Sequence, residues 1–94
     1  MVFMYTLNSK LNGWWKAVNF IVWGPSAKLI SVDTELQAYL FRMRDAGVKL
    51  LACKACADLY GVSGDLEKLG IEVKFMGQPL TGFLKNDDCR VITF

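Results

Sequence analysis

Ninety-four residues with a net charge of +2 describe one small domain, residues 1–94, with too little positive charge for a nucleic-acid footprint and no run near the ~20 apolar residues of a membrane span. The chain has no histidine, which excludes Cys-His and Ser-His-Asp catalysis and every His-ligated metal site. Hydrophobic residues make up 53%, and mean hydropathy is +0.27, so much of the apolar surface is expected to face another subunit of a homo-oligomer.

Residues 2–12 carry two patterns. Phe3, Tyr5 and Leu7 alternate as a strand does, while Phe3, Leu7 and Leu11 stack as a helix does, and Asn12-Gly13 is a natural helix terminator. Val18 to Trp23 reads as a strand stopped by Gly24-Pro25, and Ser26 to Ile30 as a short helix. Asp33 to Ala46 is the clearest helix: Asp33 or Thr34 caps it, Leu36, Leu40 and Met43 form its core face, and Gly47 closes it. Val48 to Ala52 is nearly continuous in apolar character, as strands buried on both faces are. A helix follows over 55–60, then Gly61, a shorter helix capped by Ser63, and a strand over 71–76. Gly77-Gln78-Pro79 reads as a turn, Leu80 to Lys85 as a last helix and Arg90 to Phe94 as a final strand.

Alternating strands and helices imply parallel strands joined by right-handed crossovers, an α/β fold. Its doubly wound, mostly parallel sheet is expected to have four to five strands and helices on both faces. Ligands of such sheets sit beyond the carboxyl ends of the strands. Three loops meet there: Trp23-Gly24-Pro25-Ser26, Ala52 to Cys56 and Met76-Gly77-Gln78-Pro79.

The middle loop holds Cys53-Lys-Ala-Cys56 where a strand gives way to a helix. Helix N–H groups and Lys54 favour a thiolate there, and C-x-x-C across a helix start is a redox geometry. A buried structural thiol is the plainer reading of either cysteine. Zinc needs four ligands, and only Cys53, Cys56 and Cys89 are at hand, so no metal or other cofactor is expected. Three sparse cysteines fit a reducing cytoplasm better than a disulfide scaffold. Gly24-Pro25-Ser26 offers N–H groups and a hydroxyl to an anion, or simply a turn shaped for packing. Trp14, Trp15 and Trp23 are expected in the core or in a subunit interface. Asp33, Glu35, Asp87 and Asp88 form no convincing catalytic pair.

Trp23-Gly24-Pro25-Ser26-Ala27-Lys28-Leu29, Ala46-Gly47-Val48-Lys49, Ala52-Cys53-Lys54-Ala55-Cys56-Ala57-Asp58 and Gly77-Gln78-Pro79-Leu80, in that order, resemble the DsrE/DsrF-like family, which includes sulfur-relay subunits. The resemblance covers practically the whole chain. It implies a compact α/β domain assembling into dimers, trimers or hexamers, with Cys53 accepting sulfane sulfur as a persulfide. Protein partners would donate and receive that sulfur, and Gly24, Pro25, Ser26, Lys54, Gly77 and Gln78 would line the site. The family's role does not extend to Cys56, which by its spacing could instead resolve a persulfide on Cys53 through an internal disulfide, releasing reduced sulfur. Relatives usually carry a further, central strand before the segment resembling Val2 to Trp15; by that comparison residues 2–12 are helix. The competing expectation is an oligomeric module that binds a small ligand or a protein, its cysteines passive.

Overall fold

The structure, a computed structural model, describes residues 2–91. The chain opens with helix α1 (Val2–Leu11), strand β1 (Asn19–Val22), and helices α2 (Ser26–Val32) and α3 (Thr34–Asp45). Strand β2 (Lys49–Cys53) leads into helices α4 (Lys54–Leu59) and α5 (Ser63–Lys68). Strand β3 (Glu72–Lys74) and helix α6 (Gly77–Lys85) follow.

All strands run parallel in the order β1-β2-β3, with Asn19 beside Lys49 and Leu51 beside Glu72. Parallel neighbours require crossovers, and the helix pairs α2–α3 and α4–α5 supply them. The expected sheet of four to five strands is corrected to three among the described residues. Two segments account for the difference.

Residues 2–12 take the helical alternative. Leu7 is buried in the core, and the Phe3 ring packs on Phe20 at 5.1 Å and on Tyr39 at 6.1 Å between centroids. The helical spacing of Phe3 and Leu7 thus meets both α3 and β1. At the other end, Arg90 and Val91 lie outside any strand, and the rest of the expected final strand, 92–94, lies outside the described residues. Asn86 accepts the Asp88 N–H, and the Arg90 guanidinium donates to the carbonyls of Asp87 and Cys89. These local bonds compete with strand pairing.

Successive residues of β1 and β2 point to opposite faces. Phe20, Val22, Leu50 and Ala52 join a large apolar cluster with Leu7, Leu40, Met43 and Leu66. Leu51, Cys53 and Met76 form a smaller cluster, with Ile21, Cys56 and Phe83 packed against it. The core therefore lies mainly on one side of the sheet, and α6 supplies Phe83 on the other.

Local signals explain the element ends. Asp33 caps α3 through its side chain, accepting from the Leu36 N–H at 3.0 Å. Gly47, at φ +97°, supplies the left-handed step after α3. Gly77, Gln78 and Pro79, expected as a turn, are instead the first turn of α6. Proline is tolerated there because first-turn N–H groups have no intrahelical partner. The three tryptophans are exposed, which removes the core from their two expected settings.

Candidate functional site: a thiol pair at the strand ends

With every strand parallel, the three carboxyl ends fall on one edge of the sheet, and two of the three following loops converge on sulfur. Cys53 ends β2 and occupies the cap position of α4, with extended backbone (φ −71°, ψ 116°). Its thiol makes no capping hydrogen bond. Cys56 is the third residue of α4. Cap and third-residue side chains face each other across a helix start, the spacing that lets a capping box close. The two cysteines accordingly pack together in the smaller cluster.

Their exposures differ. Cys53 is 6% exposed, sealed by Leu51 and Met76, whereas Cys56 is half-buried. Cys53 thus takes the buried setting of the plainer reading, and Cys56 is the more accessible of the two sulfurs. The first loop bears on it: the Gly24 backbone N–H favours the charged sulfur and pulls the Cys56 pKa down. Desolvation, a hydrogen bond with Cys53 and the charge that Cys53 would carry together outweigh that effect, so the Cys56 thiol titrates above the ordinary range. Gly24 sits at φ +66°, a conformation suited to glycine.

The other expected site residues are not among those packed with this pair. Pro25 precedes α2, and Ser26 is its exposed first residue. Gly77 and Gln78 are exposed in the first turn of α6; the Gly77 carbonyl accepts the Thr81 hydroxyl at 2.7 Å. Met76, which opens the third strand-end loop, and Phe83, which no motif marked, are the residues from this part of the chain that meet the cysteines.

Lys54 is engaged elsewhere. Its ammonium donates to Asp58 Oδ2 at 2.9 Å and lies 5.9 Å from the centre of the Phe75 ring. The i,i+4 spacing of Lys54 and Asp58 was the available signal for this pairing. The Ser63 hydroxyl donates to Asp58 Oδ1, tying α5 to α4. Ser63 first, then Lys54, hold the Asp58 carboxyl below its usual pKa. A depressed carboxylate stabilises the fold above its unfolded pKa of about 4, and that contribution is lost as pH falls through the folded value. Asp58→Asn is thus expected to flatten the loss of stability below about pH 4 in acid denaturation. Parallel acid limbs for the two proteins would contradict the assignment. The pair is well exposed, so the effect is small.

A groove of about 820 Å³ runs along β1. Phe3, Phe20, Trp23, Leu29 and Phe83 line it, and Cys89 stands in its wall. Ile21 and Phe83 line the groove and also pack against the cysteine cluster, so the two features share side chains. Sequence reasoning missed this groove because it depends on α1, β1, α2 and residues 86–91 coming together.

Among the described residues no group of three or more His, Cys, Asp or Glu side chains is placed to hold a metal ion. Among them, too, no helix is long and apolar enough to cross a membrane.

No family model matches the chain, and no curated protein does. A solved structure does: BT1422 from Bacteroides thetaiotaomicron, described as a conserved protein of unknown function. The two share 45% identity at a TM-score of 0.90, over 95% of this chain and 77% of that one. At that identity and coverage, the chain belongs to the same protein family as this conserved Bacteroides protein.

Proposed function

We propose that this protein is a cytoplasmic sulfur carrier that takes sulfane sulfur onto Cys56 and passes it to a partner protein. The observation that carries the reading is the pairing of one half-exposed thiol with one buried thiol at the carboxyl end of the central strand. The resemblance to sulfur-relay proteins of the DsrE/DsrF-like family assigns the role to Cys53. Accessibility moves the entry point one helical turn outward. In the loading step the Cys56 thiolate attacks the terminal sulfur of a donor persulfide. A new S–S bond forms, the donor S–S bond breaks, and the donor leaves as its thiolate.

Brief incubation with inorganic polysulfide, alkylation and intact mass measurement tests this. A gain of roughly 32 Da beyond the alkyl groups, one sulfur atom, is expected in the wild type. It is expected to vanish in Cys56→Ser and to remain in Cys53→Ser. An adduct that survives Cys56→Ser would overturn the assignment.

The groove along β1 favours a second reading, an oligomeric binding module with passive cysteines. β1 pairs on one side alone among the described residues, leaving backbone groups beside an apolar groove. Polysulfide decides here as well: no adduct on any cysteine leaves the groove as the remaining site.

A further inference from the structure

We infer that Cys53 is a resolving thiol: in a chain loaded on Cys56, it closes a Cys53–Cys56 disulfide and expels the carried sulfur as hydrosulfide. The inference rests on the carrier reading and adds the fate of a sulfur that meets no acceptor.

Three observations carry it. The first is position. Cap and third-residue side chains lie on one side of the helix start, and here both are cysteines packed in one cluster. The second is freedom from other bonds. The Cys53 sulfur takes no part in capping α4, and the described residues hold no disulfide. The third is access. Cys53 is too buried to meet a protein donor first, yet it neighbours the outer thiol. A nucleophile sheltered behind the loaded sulfur is screened from bulky competitors but not from its neighbour.

The chemistry balances within the chain. The Cys53 thiol gives its proton to solvent, and the thiolate attacks Cys56 Sγ, the inner sulfur of the persulfide. The Cys53–Cys56 S–S bond forms as the bond from Cys56 Sγ to the outer sulfur breaks. The outer sulfur takes the electron pair and departs as hydrosulfide. Two electrons pass from the two cysteine sulfurs to the carried sulfur, so this turnover needs no external oxidant or reductant. Transfer to an acceptor thiol competes with this step and leaves the dithiol reduced.

Loading with inorganic polysulfide, removal of excess reagent and a time course of mass and released sulfide tests the inference. In the wild type, decay of the adduct is expected to release one hydrosulfide per chain and leave a product about 2 Da lighter than the reduced protein. In Cys53→Ser and in Cys53→Ala, the adduct on Cys56 is expected to last at least about tenfold longer and to release no sulfide without added thiol. Equal lifetimes in wild type and both variants would overturn the inference while leaving the carrier reading intact. Absence of any adduct in all three would instead overturn the carrier reading. Wild-type protein treated with glutathione disulfide then tests closure by itself. An intramolecular Cys53–Cys56 disulfide is expected, and a lasting mixed disulfide on Cys56 would reject the resolving role.

Discussion

Leu40→Ala is expected to lower the stability of this domain by about 2–5 kcal/mol. Leu40 is 0% exposed on the core face of α3 and belongs to the large cluster that joins this helix to α1, β1 and β2. Removing its outer carbons forfeits their transfer free energy and leaves a cavity that a close-packed interior fills only in part. Total stability for small domains is roughly 5–15 kcal/mol, so this one change removes a large share. At about 4–8 °C per kcal/mol for a domain of this length, the unfolding midpoint should fall by at least about 8 °C. Leu59→Ala, on the exposed side of α4, is the control and should stay within about 0.5 kcal/mol. Equal midpoints for the two variants in thermal or urea unfolding would show that α3 does not anchor the core.

Much of this fold is legible from residue types. Asp33 and Gly47 bracket α3 because a carboxylate cap and a left-handed glycine are local devices. The apolar run at 48–52 announces a strand with both faces covered, and Leu50 and Leu51 are buried on opposite sides. Cys53-Lys-Ala-Cys56 at a strand-to-helix junction places two thiols together without knowledge of the rest of the chain.

What was not legible depends on partners distant in sequence. Cys53 is buried because Met76 packs on it, more than twenty residues further along. The same side chain in a looser setting would have been the open sulfur. Sheet size was overestimated because Arg90 and Val91 have strand-like composition, whereas the hydrogen bonds of Asn86 and Arg90 hold their segment in local turns. Gly77 and Pro79 suggested a turn by type, yet both fit the first turn of a helix. The exposed tryptophans show the limit of composition: a large apolar residue in so small a domain has few interior positions to occupy.

The account rests on Cys56 being the sulfur that outside molecules reach. Timed alkylation of the native protein with a small electrophile, followed by peptide mass mapping across pH, measures this directly. Cys56 is expected to react at least about tenfold faster than Cys53, since a buried thiol waits on local opening and about 1.4 kcal/mol of opening already costs that factor. Because burial and Cys53 outweigh the Gly24 N–H and raise the Cys56 pKa, its rate should still be climbing above the pH at which an unperturbed cysteine levels off. Cys53 reacting as fast as Cys56, or faster, would contradict the account and return the accepting role to the inner sulfur.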